Sequence, residues 1–158
     1  MHPNAQLIQE FYQAFQRRDA IAMAACYADD IEFSDPVFPR LRGKQVGAMW
    51  HMLTSRAEDF SLSFDGVAAD ATRGRASWVA TYRFSQTGRM VVNRIEANFE
   101  FRDGKICRHQ DHFNLWKWCR QALGLAGWLF GAFPMVQNKI RGQAAAGLAK
   151  FTASQSSI

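Results

Sequence analysis

Residues 89–115, RMVVNRIEANFEFRDGKICRHQDHFNL, alternate side-chain character on both sides of Asp103-Gly104. A period of two belongs to a strand, and Asp-Gly is a preferred pair for a two-residue hairpin turn. In the first arm Asn93, Ile95, Ala97, Phe99 and Phe101 face one way, and Arg94, Glu96, Asn98 and Glu100 the other. In the second arm Cys107, His109, Asp111, Phe113 and Leu115 share the apolar side, opposite Arg108, Gln110, His112 and Asn114. The same period extends upstream. Trp78, Ala80, Tyr82 and Phe84 alternate with Ser77, Val79, Thr81 and Arg83, and Phe60, Leu62 and Phe64 alternate with serines and Asp65. Turn signals at 72–74 and 86–88 separate these runs, so an antiparallel meander of four long strands is expected.

The N-terminal third has a different period. Leu7, Ile8, Phe11, Ala14 and Phe15 form one stripe of a helix over residues 4–17. Asp19 is placed to cap a second, short helix running through Tyr27. A brief strand, 31–35, stops at Pro36, which has no N–H to give a ladder; Val46, Met49, Trp50 and Leu53 then mark a third helix. Helices first and a meander second predict an α+β domain: a cone-shaped barrel of strongly curved, mainly antiparallel sheet, its concave face covered by the N-terminal helices.

The chain has 158 residues, 48% of them apolar, which suits one core rather than two. The domain is expected over residues 1–118, with 119–158 a helical extension packed on the same domain or on a dimer partner. Cys26, Cys107 and Cys119 form neither a CxxC pair nor a zinc spacing, and the N-terminus has no signal-peptide pattern, so a reducing, cytoplasmic setting is expected. The net charge of +5 comes from scattered Lys and Arg without a basic run, which argues against nucleic acid. The apolar stretch 123–136 is shorter than the roughly 20 residues of a spanning helix and is broken by Gly124, Gly127, Gly131 and Pro134. Its aromatic density calls for a cover: the pocket mouth or a homodimer contact is favoured, with peripheral membrane contact a third option.

His109 and Asp111 are the anomaly on the inner face. An ionisable pair there must be hydrogen-bonded, hydrated or shifted in pKa, which makes it either a candidate site or a satisfied polar pair in the core. Asp35 is likewise either an acid–base group or an Asx turn before Pro36. The aromatic stripe serves equally as core or as ligand wall. His109, Asp111 and His112 have metal-like spacing, but His112 points to the other face, so no metal and no cofactor is expected.

Taken in order, the helix pair, YADDIEFSDPVF at 27–38 and the meander ending DGKICRHQDHFNLW resemble the nuclear transport factor 2-like superfamily over about residues 4–118. That superfamily includes ketosteroid isomerase, SnoaL-like polyketide cyclases and limonene-1,2-epoxide hydrolase. The resemblance implies a cone-shaped domain with a central pocket for a small apolar ligand, and homodimers. Matched to ketosteroid isomerase, Asp35 falls on the general base. The oxyanion-hole tyrosine falls on Phe11, with Tyr12 turned about 100° away, and the oxyanion-hole aspartate falls on Ala97, so steroid isomerisation by that route is not expected. Matched to the epoxide hydrolase, Asp111 falls on the last-strand aspartate and Asp35 on the water-binding asparagine, while the partner arginine and aspartate fall near Trp78 and Ala80. SnoaL-like cyclases suit Asp111 with His109. The expected catalytic set is therefore Asp35, His109 and Asp111, and the expected ligand wall is Phe11, Met49, Trp78, Tyr82, Asn93, Ile95, Phe99 and Phe113. Isomerase, hydrolase or cyclase chemistry, a non-catalytic lipid, terpenoid or polyketide carrier, and a protein-interaction domain all remain open.

Overall fold

The computed structural model describes residues 1–156. Helix α1 (Pro3–Gln16) opens with proline in its first turn, where no N–H is needed, and with the His2 ring accepting from the Asn4 amide. Its buried stripe is Ile8, Phe11, Tyr12 and Phe15, the spacing of one helical face. Asp19 caps α2 (Ala20–Ala25) through the Ala22 amide. This helix ends sooner than expected: Tyr27 is the first residue of strand β1 (Tyr27–Ser34), not the last of the helix. A two-residue strand β2 (Leu41–Arg42) and α3 (Lys44–Arg56) follow.

The meander is β3 (Glu58–Ala69), β4 (Arg73–Phe84), β5 (Arg89–Arg102) and β6 (Lys105–His112). Asp103 and Gly104 both take positive φ, 53° and 74°, as the tight β5–β6 turn requires. The sheet order is β2-β1-β6-β5-β4-β3, mixed and open. This is the expected α+β arrangement of a curved, mainly antiparallel sheet; its edges stay open rather than closing a barrel, and among the described residues its one parallel pairing is β1 with β6. Small residues on the concave side, Ala76, Ala80 and Ala97, alternate with Trp78, Ile95 and Phe99 and make room for the α1 rings. A register shift between Glu100 and Phe101 turns Ile106, rather than Cys107, fully into the core.

Three more helices complete the chain: α4 (Leu115–Leu123), α5 (Leu125–Phe130) and α6 (Pro134–Gln155). Helix α4 crosses the expected 118/119 boundary and lies on β5. There the Gln121 side chain accepts from Val92 N–H and donates to Val92 C=O, pairing backbone groups beyond the end of the β6 ladder. Helix α6 lies along α3, with the Phe151 ring edge-on to His51 at 5.1 Å. Among the described residues no helix is long and apolar enough to cross a membrane.

Gly74 on β4 tests this packing. A Cβ there would sit 2.8 Å from Ile8 Cδ1 and 2.9 Å from the Phe101 ring. Replacing glycine by alanine ordinarily gains about 0.4–1 kcal/mol of chain entropy, but overpacking a buried contact costs about 1–3 kcal/mol. Gly74→Ala is expected to lower stability by about 1 kcal/mol in urea unfolding, the net of those two terms; a stabilised variant would show that α1 can move away from the sheet.

Candidate active site

The parallel pairing of β1 with β6 builds the site. Phe33 registers with His109 and Ser34 with Gln110, so the chain leaves β1 into Asp35 next to the strand position of Asp111, and Asp35 lies within reach of the Asp111 charge. Alternation along β6 turns His109 and Asp111 inward. His109 is fully buried and Asp111 only 3% exposed. A hydrogen-bonded chain satisfies them. Trp50 Nε1 donates to Tyr27 Oη at 2.9 Å, Tyr27 Oη meets His109 Nδ1 at 2.8 Å, and His109 Nε2 meets Asp111 Oδ1 at 2.9 Å. Trp78 Nε1 adds a longer bond of 3.4 Å to the same carboxylate oxygen. An ionised Asp111 can only accept, so with a neutral imidazole the ring proton belongs on Nε2, directed at Asp111, and Nδ1 accepts from the Tyr27 hydroxyl; this tautomer is assigned from the network.

Both nitrogens of His109 are thus engaged, and the rings of Phe11, Phe33, Trp50 and Phe99 surround it, with centroids 4.5 to 6.1 Å away. The imidazole reaches the site through Asp111 and not directly. The other Asp111 oxygen, Oδ2, accepts no hydrogen bond among the described residues. Asp35 shows the same asymmetry. Its Oδ1 accepts from the Val37 and Phe38 amides at 2.7 and 2.6 Å, an Asx turn, and Oδ2 is left over. Burial pushes the Asp35 carboxyl up to about 7; the two amide bonds oppose that rise and the Asp111 charge assists it.

The expected wall residues fall into two groups. Phe11, Met49, Trp78, Ile95 and Phe99 are buried in the core around the relay, whereas Tyr82, Asn93 and Phe113 are only partly buried. Tyr82 lies within reach of the Asp35 charge, and its hydroxyl accepts from Trp118 Nε1 of α4 at 2.7 Å. From the other side Arg141 of α6 donates to Pro36 C=O at 2.8 Å. The C-terminal helices therefore touch both the Asp35 loop and its neighbour Tyr82. Two clefts, of about 140 and 320 Å³, lie on the outward sheet face, lined by residues such as Ser77 and Glu96 or Asn98 and Arg108, away from the aspartates.

Three polar participants were not singled out in the sequence. Tyr27 was hidden by its reading as the end of a helix. Helical spacing marks Trp50 only as an apolar stripe residue, yet it supplies the relay's first proton. Tyr12, expected to turn away from the interior, is fully buried: at i+4 from Ile8 and i−3 from Phe15 it belongs to the inner stripe. Its ring stacks on Phe64, and its Oη is a buried polar atom with no hydrogen-bond partner among the described residues. Burial and the Asp111 charge raise its pKa well above the usual phenol range, so it stays a donor.

The family model described as a SnoaL-like domain matches residues 8–109, well over half of the chain. The chain belongs to the SnoaL-like domain family. Among solved structures, this SnoaL-like chain is similar to a candidate polyketide cyclase from Xanthomonas campestris pv. campestris, at 26% identity over 76% of this chain and 96% of that one, with a TM-score of 0.64. It is also similar to a nuclear transport factor 2-like protein of Burkholderia pseudomallei K96243 (20% identity, 77% and 98% covered, TM-score 0.67). An LEH-like epoxide hydrolase of M. tuberculosis is a third (20% identity, 82% and 97% covered, TM-score 0.65). No curated protein matches the chain. The fold is the nuclear transport factor 2-like cone.

The raised pKa of Asp35 has a consequence for stability. Unfolded, the group releases its proton near 3.8; folded, near 7. Between those values the folded chain holds the extra proton, so this contribution is complete below about pH 4 and is lost as pH rises to about 7. The loss should be on the order of 2–4 kcal/mol. Asp35→Asn should flatten that limb of a stability-against-pH curve from urea unfolding; a wild-type curve level across this range would mean that the carboxyl is hydrated.

Proposed function

We propose that this SnoaL-like chain is an acid–base enzyme for a small, largely apolar substrate. The reading rests on one observation: Asp111, held through Oδ1 by a buried relay, lies on the strand paired in parallel with the one that runs into Asp35; burial, with the Asp111 charge, pushes the Asp35 carboxyl up to about 7. In this reading Asp111 Oδ2 is the base, and His109 positions it by donating to Oδ1. Asp35 carries its proton on Oδ2, because Oδ1 is held by two amides, and acts as the acid. Tyr12 Oη donates to an oxygen of the substrate, supporting the negative charge that develops there.

Such a pair serves proton transfer at an acidic C–H, attack of an activated water on an epoxide or ester, or aldol-type ring closure. Each withdraws one proton and supplies another in surroundings from which water is largely excluded. The descriptions of the similar structures, polyketide cyclase and epoxide hydrolase, fall within this range. A second reading, a carrier that binds its ligand without chemistry, is favoured by the complete enclosure of His109: a relay with every donor used is also what a satisfied polar core looks like.

The two readings separate on a panel of small polyketides, enones, terpenoids and epoxides, followed by product analysis and by deuterium uptake in heavy water. Asp111→Asn is expected to reduce turnover about 10²- to 10⁴-fold while leaving affinity nearly unchanged. Turnover should fall as pH rises through about 7, and Asp35→Asn should remove that limb. Binding without turnover would establish the carrier reading instead, and turnover indifferent to both substitutions would overturn the roles given to Asp111 and Asp35.

A further inference from the structure

Helix α5 packs on α4 through glycine. A Cβ at Gly127 would lie 1.9 Å from Cys119 O, and one at Gly131 would lie 2.6 Å from Cys119 Cβ. These two positions, four residues apart, fix which face of the segment is covered, and the opposite side is left bare. Leu125 is 74% exposed, Trp128 55%, Leu129 57%, Phe130 49%, Phe133 53% and Met135 81%. Six large apolar side chains within one short stretch form a patch of the kind that marks an interaction surface.

Charge identifies the partner. No Asp or Glu follows Asp111 in the sequence, while Lys117, Arg120, Lys139, Arg141 and Lys150 do. Arg120 lies over both Trp116 and Trp128, 4.8 and 5.0 Å from the ring centroids, and Arg89 lies against Gly124 at the start of α5. Across a two-fold axis, a second copy would bring these cations against their own equivalents with no carboxylate on α4–α6 to pair them. An anionic lipid surface meets both requirements, taking the apolar side chains into the headgroup–acyl boundary and the cations beside them, Arg120 and Arg89, onto phosphate. Tryptophan beside arginine suits that boundary.

We propose that α5 and the turn after it form a peripheral docking surface for anionic lipid bilayers. The proposal is independent of the aspartate pair. The test is flotation of the full chain with phosphatidylcholine vesicles, with and without added phosphatidylglycerol, at low and high salt. Binding should be about 10-fold stronger with the anionic lipid and should weaken in salt. It should fall about 10-fold or more in a Trp128→Ser, Phe130→Ser double variant whose circular dichroism matches the parent. Lys117→Ala with Lys139→Ala should reduce only the anionic preference. Equal binding to both vesicles would overturn the proposal. So would no binding to either, whether or not sedimentation shows a dimer that the double variant dissolves; such a dimer would assign the patch to a second copy.

Discussion

Placing an imidazole and a carboxylate on the inner face of a sheet is the constraint around which this molecule is arranged. A buried carboxylate without partners would cost several kcal/mol, enough to consume much of a small domain's stability. The cost is met by donors from three elements: Tyr27 of β1, Trp50 of α3 and Trp78 of β4. None of these can move without leaving a buried polar atom unpaired. The parallel seam between β1 and β6 follows from the same need, because only that pairing brings the Tyr27 hydroxyl to His109 and Asp35 beside Asp111.

The two aspartates become chemically different through their partners. Each has one oxygen tied and one remaining, but Asp111 is tied by an imidazole N–H at the end of a relay and Asp35 by two backbone amides at a loop. The amides favour the Asp35 carboxylate, yet burial and the neighbouring charge outweigh them and hold its proton to about 7. When two titratable groups share one space and their surroundings push them apart, one is suited to give a proton and the other to take it. The acid and base roles proposed for the two aspartates rest on local geometry rather than on residue type.

Much of the site was legible in the sequence because β-strand alternation is unforgiving. The alternation of β6 itself, with Phe113 and Leu115 on the apolar side, is what turns His109 and Asp111 inward; the hairpin turn alone would set Phe99 opposite Arg108, and the register shift between Glu100 and Phe101 brings His109 there instead. What alternation cannot show is how strands far apart in sequence pair. The β1–β6 seam joins residues about eighty positions apart, and Tyr27 precedes an irregularity in that pairing, so its period was broken where it mattered. Tyr12 was obscured for another reason. Homology placed its neighbour Phe11 in the functional position, while helical spacing admits both to the interior, since one stripe is wide enough for i, i+3 and i+4. Whether Trp50 served as core or donor depended on the Tyr27 oxygen, and no one-dimensional pattern contains that information.

The C-terminal helices connect the site to the surface. Trp118 of α4 holds the Tyr82 hydroxyl, and Arg141 of α6 holds the Pro36 carbonyl next to Asp35. Between these two anchors lies α5, pressed on α4 by glycine and otherwise uncovered. A force on α5 therefore has short covalent paths to both sides of the Asp35 loop, through five residues back to Cys119 and Trp118 or through the turn into α6. If α5 seats on a surface, the aspartate pair is carried with it at a fixed distance, and an apolar substrate held in that surface would meet Tyr82 and Asp35 before it met bulk water. On the proposed reading, the apolar character of the substrate and that of the exposed helix would have a common physical cause, because both favour the boundary at which water ends.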